Sequence, residues 1–346
     1  MITVAVSGIN AIDNPGPGIG IIKGLKAAEK EIKIAGLAYD AMEPGIYMRH
    51  YVDKAFLIPY PSAGEAPFLA RLLDIKDRFG MDVVIPAVDA EMPLFINLKK
   101  TLEENGIKTF LPGREQFKLR AKTELNMVAE KIGINCPNFF AINNLEELSA
   151  ALEQLHYPVM VKGVFYKAAR AGNYAEAVEK FHQISAEWGF PVIVQTTVSG
   201  EEMNVVGVGD GEGGHFGLVA IKKLWITALG KIWTGVTVHN HGMLQAAEAF
   251  VREFKWKGAF ELECMVNNND IHLIEINPRF PAWCHFATGV GINLPGRLLK
   301  AALGEEPERD SDYPSGKYYI RFTDDFVQDM ETFQQVIMQG ETNNEI

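Results

Sequence analysis

The sequence predicts a mixed α/β and α+β protein in three parts: an open, mainly parallel sheet, then a small mixed unit, then a β-rich block. Three observations carry this. Unalternating apolar runs such as ITVAVSG and DVVIPAV alternate with amphipathic helical stretches over the first third of the chain, the pattern of buried parallel strands. Shorter helix and strand patterns follow between residues 145 and 196. Strand-like runs then dominate residues 203–276 and close on a hairpin.

In order, ITVAVSG, a Gly/Pro loop, IIKGLKAAEK, KIAGLAYD, FLIPYP, APFLARLLDIKDRFG and DVVIPAV read as βαββαβ. A helix over 91–105 and a short strand over 107–111 complete this sheet, with Leu111-Pro112-Gly113 as a natural joint. A helical stretch over 116–132 leads through a turn to a strand. Then come a helix over 145–155, strands over 158–163 and 167–173, a helix over 175–188 and a strand over 191–196. Strands over 203–209, 216–227 and 233–238, a helix over 243–254 and paired strands over 258–266 and 271–276 follow. The expected parts are 1–112, 113–196 and 197–346, with a frayed polar tail from Gly340.

A chain of 346 residues, 47% hydrophobic and 22% charged, has an ordinary globular composition. A net charge of −11 supplies no basic excess for nucleic-acid phosphates, so no nucleic-acid partner is expected. No apolar run is long enough to span a membrane, and the start lacks the basic and apolar regions of a signal peptide. Three scattered cysteines (Cys136, Cys264 and Cys284) make a disulfide framework or a zinc site a poor expectation and fit a reducing cytoplasm.

The densest chemistry lies in the final hairpin. Glu261 and Glu263 are two apart on one strand; Glu275 and Asn277 are two apart on the next, in the run IEINPRF. Three carboxylates and an amide oxygen are expected on one patch of an otherwise apolar hairpin. Such groups repel one another and resist desolvation, and a hard divalent cation with oxygen ligands resolves the conflict. A solvent-facing row of ordinary acids is the plainer alternative.

Glu263, Glu275, Asn277 and Arg279 in EINPRF resemble the metal and phosphate signature of the ATP-grasp superfamily, on its carbamoyl-phosphate-synthase and biotin-carboxylase branch and among carboxylate–amine ligases. The resemblance extends over most of the chain. It implies an ATP-grasp fold: a Rossmann-like pre-ATP-grasp domain, a lid and a β-rich catalytic domain, with ATP between the last two. Lys122 in RAKTELNMVAEKIG and Lys162 in YPVMVKG match the two nucleotide lysines. VIVQTTVSGEE matches the hinge that clasps adenine, which places Gln195, Thr196 and Val198 at the base and Glu202 at the ribose. Lys223 stands where a triphosphate cation is expected; its neighbour Lys222 points to the other side of the strand, so only one can serve. The implied metal set is Glu263, Glu275 and Asn277, for Mg2+ with Mn2+ as an alternate ion, and Arg279 with Lys223 would assist the chemistry.

Relatives usually carry a long glycine-rich loop after the second lysine. Here GVFYKAARAGNYAEA has Ala168 and Ala169 in that place, so near-direct strand pairing is expected, with Lys167 and Arg170 as alternative phosphate contacts or merely solvated turn residues. The loop SGINAIDNPGPGIG, followed by Asp40, has a dinucleotide-fingerprint layout but the wrong glycine spacing, and a substrate-facing or structural loop is expected instead. In PAVDAEMPLF, Asp89 is expected at a helix N-cap or at the mouth of the site, with Glu91 in the first turn. His239 and His241 lack a third ligand for zinc. Trp225, Trp233 and Trp283 read as core or rim aromatics.

The expected activity is ATP- and Mg2+-dependent activation of a small-molecule or peptide carboxylate as an acyl phosphate, which an amine then captures. Carbamoyl-phosphate-like or carboxylating chemistry and a non-catalytic nucleotide sensor are the alternatives, with a dinucleotide oxidoreductase behind them. A homodimer is expected from the relatives.

Overall fold

The computed structural model describes residues 1–29, 31–164, 167–227 and 230–343. The elements begin β1 (Ile2–Val6), α1 (Gly18–Ala28), β2 (Ile32–Ala38), β3 (Lys54–Leu57), α2 (Glu65–Phe79), β4 (Val83–Ile85) and α3 (Met92–Glu104). Next are α4 (Arg114–Lys118), α5 (Leu125–Ile132), β5 (Phe139–Ile142), α6 (Leu145–Gln154), β6 (Val159–Lys162), β7 (Ala168–Ala171), α7 (Tyr174–Trp188) and β8 (Val192–Thr196). The chain continues through β9 (Glu201–Asp210), β10 (His215–Ile226), β11 (Ile232–Thr237), α8 (His241–Phe254), β12 (Lys257–Asn267) and β13 (Asp270–Asn277). It ends with α9 (Cys284–Gly289), α10 (Leu294–Leu303), β14 (Tyr318–Ile320) and α11 (Met330–Gln339).

Two compact units result. One comprises Met1–Phe117, Asn204–Leu262 and Asn277–Ile346; the other comprises Lys118–Met203 and Glu263–Ile276.

In the first unit, β3-β2-β1-β4 form a parallel sheet. Successive residues of β1 enter different cores. Val4 and Val6 pack with α1, α9 and α10 residues such as Ile21, Ala287 and Leu298, whereas Ala5 packs with Phe68 and Leu72 of α2 and Phe95 of α3. Burial on both faces is why the strand reads as an apolar run. A second sheet has the order β13-β12-β9-β10-β11-β14.

In the second unit, β5-β8-β6-β7 form an antiparallel sheet covered by α6 and α7, with Leu148, Phe181, Val159, Val161 and Val194 in its core. Asn144 and Asn173 start the two helices by accepting the N–H of Glu147 at 2.9 Å and of Glu176 at 3.0 Å. Lys162 pairs with Ala168 across the β6–β7 turn, so the near-direct strand pairing expected there is present. Phe165 and Tyr166 of that segment lie outside the described residues.

Three expectations change. The helix over 116–132 is broken into α4 and α5, and the strand over 107–111 contracts to one bridge between Val83 and Lys108. The tail is not frayed at Gly340: residues 340–342 dock on β3, as Leu57 N–H donates to the Gly340 carbonyl at 2.7 Å and Thr342 N–H to the Ala55 carbonyl at 3.0 Å. Residues 344–346 lie outside the described residues. Among the described residues, no helix is long and apolar enough to cross a membrane.

Candidate active site

In the second unit Lys162 lies within electrostatic reach of Lys122, Glu275 and Glu263, and Lys122 within reach of Glu275. Lys162 ends β6, and its ammonium donates to the side-chain oxygen of Gln195 on β8 at 2.6 Å. The register explains the contact: Lys162 faces Ile193, and Gln195 is the diagonal neighbour on the same face. Lys122, between α4 and α5, donates to the Gly163 carbonyl at 2.8 Å. Burial, and after it nearby Lys122, push the Lys162 ammonium down to about 8, against the opposing pull of Glu275 and Glu263. Burial also lowers Lys122, again against the pull of Glu275. Two like charges held half-buried gain most from added negative charge.

The hairpin supplies the carboxylates. β12 and β13 are joined through Asn268 and Asn269, and Asn268 takes the left-handed conformation (φ 54°) that tight hairpin turns require. Along β13 burial alternates at Ile271 and Leu273, then slips by one residue so that Ile274 and Glu275 are both half-buried before Ile276.

The residues expected at the hinge belong to the same unit. Gln195 is buried, and its oxygen is engaged by Lys162. Thr196 N–H donates to the Asn138 carbonyl at 2.9 Å. Val198 and Glu202 are half-buried, and the carbonyl of Val266 comes so close to Gly200 that a Cβ there would sit 2.6 Å from it. The Thr197 hydroxyl oxygen is buried without a hydrogen-bond partner among the described residues, a feature with no local sequence pattern to mark it. Cys136 was not counted with this cluster either, yet it lies within electrostatic range of Lys162; burial holds its thiol up near 11.

In the first unit, Glu261 corrects the expectation of three converging carboxylates. It is buried and its oxygens are committed: Oε1 accepts from Asn204 Nδ2 at 2.6 Å and from Trp283 Nε1 at 2.7 Å, while Oε2 accepts from Asn277 Nδ2 at 2.9 Å. A carboxylate so satisfied is a structural brace. Among the described residues, no group of three His, Cys, Asp or Glu side chains is arranged to hold a metal ion. The brace also orients Asn277: its amide nitrogen faces Glu261, and its oxygen accepts from Arg279 Nη2 at 3.1 Å.

Arg279 is held by Asp89, whose Oδ2 accepts from Nε at 3.0 Å and Nη2 at 2.7 Å. Asp89 therefore positions an arginine rather than capping α3. Glu91 occupies the N-cap position itself, wholly buried, and accepts from the Ser7 and Tyr39 hydroxyls and from the N–H groups of Ala87 and Val88 at 2.8 and 2.9 Å. Burial pushes its carboxyl upward, an effect these donors oppose. Lys223 faces Gly235 across β11, and its ammonium reaches the Gly230 carbonyl at 3.5 Å.

Four other motifs are settled structurally. The amino-terminal glycines fold the loop onto itself: Gly18 N–H donates to the Gly8 carbonyl at 2.9 Å, and a Cβ on Gly16 would lie 2.3 Å from that oxygen. Close backbone packing, rather than a phosphate cradle, accounts for them. Lys167 is ion-paired with Glu187. His239 lies 2.7 Å from the Tyr313 carbonyl. Trp283 is core, whereas Trp225 is 67% exposed.

The fold defines the class: it is the fold of ATP-grasp proteins. Residues 190–323 match the family model described as ATP-grasp in the biosynthetic pathway with Ter operon. Carbamoyl phosphate synthase large chains of Saccharolobus islandicus (strain L.S.2.15 / Lassen #1) and Hyperthermus butylicus are 24% and 25% identical to it over 251 and 228 residues, or 64% and 60% of this chain. The chain spans only 23% and 21% of the length of those curated relatives. Among solved structures, the biotin carboxylase domain of Hydrogenobacter thermophilus 2-oxoglutarate carboxylase, determined with MgADP, ADP and bicarbonate, superposes with a TM-score of 0.69 at 17% identity, covering 91% of this chain and 73% of that one. An L-amino acid ligase from Bacillus licheniformis gives a TM-score of 0.65 at 16% identity, covering 89% and 75%.

Proposed function

We propose that this chain is an ATP- and Mg2+-dependent carboxylate–amine ligase. The observation that carries the reading is the grouping of Lys122 and Lys162 with Glu263 and Glu275. Paired cations suit a polyphosphate, and neighbouring carboxylates suit the divalent ion that accompanies it. The relatives support the choice: one solved neighbour was determined with MgADP and another is an amino acid ligase.

In this reading Lys122 and Lys162 hold the phosphates, joined by Lys223. Gln195, Thr196 and Val198 meet the adenine, and Glu202 takes the ribose hydroxyls. The donor set suits magnesium: Glu263, Glu275 and the oxygen of Asn277 would hold it, since the Asn277 nitrogen is already turned to Glu261. Magnesium supplies neutralisation of charge building on the transferred phosphoryl group. Arg279, fixed by Asp89, holds the substrate carboxylate for attack on the terminal phosphate, and an amine then displaces phosphate to form an amide. No side-chain nucleophile is needed; positioning and charge neutralisation do the work. We assign 1–112, 113–196 and 197–346 as pre-ATP-grasp, lid and catalytic parts, and the cytoplasm as the compartment.

ADP release measured with pools of amino acids and small peptides, with and without Mg2+, tests the proposal. Stimulation that requires both an acid and an amine supports it. ATP hydrolysis dependent on bicarbonate would instead favour carboxylating or carbamoyl-phosphate chemistry. A second reading, a non-catalytic nucleotide sensor, is favoured by the direct β6–β7 pairing after Lys162. Tight ATP binding with no turnover by any pair would establish it.

A further inference from the structure

The wholly buried carboxylate of Glu91 closes a turn between β4 and α3. Glu91 N–H donates to the Val88 carbonyl at 3.1 Å, while Glu91 Oε1 accepts from the N–H groups of Val88 at 2.9 Å and Ala87 at 2.8 Å. One residue thus ties residues 87–91 at both ends, and Asp89 sits in the middle of the turn. Buried backbone donors need partners, so losing this carboxylate would leave the turn without its closure.

The neighbouring strands pin the same turn. Ser7, just after β1, donates its hydroxyl to Glu91 Oε1 and accepts the Ala87 N–H at 2.8 Å. Tyr39, just after β2, donates its hydroxyl to Glu91 Oε2, and its ring stacks on Tyr60 with centroids 5.5 Å apart. Gly8 takes the left-handed region (φ 64°), and a Cβ there would stand 3.2 Å from the Ala87 Cβ. The carboxyl ends of β1, β2 and β4 therefore meet at one acid.

What the turn presents is Asp89, whose Oδ2 takes both Nε and Nη2 of Arg279; the two side chains are 12% and 11% exposed. A planar guanidinium is aimed only as well as the carboxylate that grips it. We propose that Glu91 is a positioning residue for Arg279: by locking the 87–91 turn to the ends of β1 and β2, it fixes Asp89 and hence the orientation of the guanidinium. The hydrogen-bond partners of Glu91 are Ser7, Tyr39, Ala87 and Val88, none of them assigned to nucleotide, metal or substrate, so it acts through the turn. The inference rests on the ligase reading only for what Arg279 then does to a substrate.

The experiment uses the full chain with isotope-labelled arginine. The Arg279 Nε–H signal, assigned by its loss in Arg279→Lys, should exchange slowly with solvent in the native protein. Glu91→Met keeps the bulk but offers no comparable acceptor, and should speed that exchange at least about 10-fold through local opening. Glu91→Gln should stay within about threefold of native, because its oxygen still serves Ser7, Ala87 and Val88 while its amide donates to Tyr39. Arg71 Nε–H, bonded to the Leu57 carbonyl at 2.9 Å, should not change in either variant and controls for general loosening. Should Glu91→Met fail to fold, Ser7→Ala takes its place, with faster exchange at Arg279 and none at Arg71. In ADP-release assays Glu91→Met should lower kcat about 10-fold without changing the KM for ATP, and should add nothing to Asp89→Asn, because both act through one contact. Native exchange at Arg279 in the folded variants, equal acceleration at Arg71, or a Glu91→Gln variant as fast as Glu91→Met overturns the proposal. The exchange measurement needs no substrate, so a native protein without acid-dependent ADP release would refute the ligase reading and leave this test decisive.

Discussion

The ammonium of Lys162 is anchored to the side-chain oxygen of Gln195 at 2.6 Å, and this one bond ties the end of β6 to β8. Burial and Lys122 hold the Lys162 ammonium near 8, against 10.5 for an ordinary lysine. Between those pH values the unfolded chain carries more protons than the folded one, so stability rises with pH. The ligand-free protein should therefore gain stability relative to Lys162→Met from pH 8 to 10.5, by up to about 3 kcal/mol. Urea midpoints of both proteins across that range measure it; a constant difference contradicts the depressed value. Nucleotide affinity of Lys162→Met should fall roughly 10- to 100-fold, the loss expected for one charge-assisted hydrogen bond.

Glu275 acts on both lysines and is assigned to the metal. A metal-holding carboxylate matters most when charge moves on the phosphates, so its loss should weigh on turnover more than on binding. Glu275→Gln should lower kcat at least about 100-fold, with a far smaller change in nucleotide Kd. Titration calorimetry beside ADP-release kinetics separates the two. Unchanged turnover would remove Glu275 from the mechanism.

Asp89 grips Arg279 by two hydrogen bonds to one oxygen, and Arg279 in turn reaches Asn277. Asp89→Asn keeps the shape but removes the charge that fixes the guanidinium. We expect kcat to drop about 10-fold, the scale on which supporting partners act, with nucleotide Kd nearly unchanged. Arg279→Lys should not restore activity in any background, because an ammonium lacks the planar fork. Equal losses in Kd and kcat would instead point to general destabilisation of the loop.

Gln195 is singled out in the sequence only by resemblance to the hinge motif, whereas Lys162 and Glu275 stand out because each interrupts an apolar strand, one before a glycine and the other just ahead of an asparagine–proline step. The parallel sheet was legible for the same reason: burial on both faces writes itself as continuous apolar runs. Glu261 was misread because two-residue spacing reports which face a side chain takes, but not who meets it there; Asn204 and Trp283 come from distant segments. The pairing of Asp89 with Arg279 spans 190 positions and leaves no local pattern. The tail was misjudged because polarity alone suggested fraying, whereas its partners Lys54, Arg71 and Arg78 are far upstream.

That tail gives the last prediction. Glu341 meets Lys54 at 2.8 Å and Arg78 at 2.6 Å, Arg71 donates to the Gly340 carbonyl at 2.8 Å, and Ala55 N–H donates to Thr342 Oγ1 at 3.0 Å. Burial alone would raise the Glu341 carboxyl, but Arg78 and Lys54 more than reverse it, so it lies below the ordinary glutamate value of 4.5. A depressed acid contributes its stability above the unfolded value and loses it as pH falls through the folded one. Glu341→Gln should therefore destabilise the protein at neutral pH by about 1 kcal/mol, because the half-buried Lys54 loses its counter-charge while the exposed, solvent-screened Arg78 adds little. The gap to the native protein should narrow as the solution is acidified below 4.5. Denaturant melts at neutral and acidic pH read both effects. A gap that does not shrink in acid would show that the carboxylate charge is not what holds the carboxyl-terminal segment against β3.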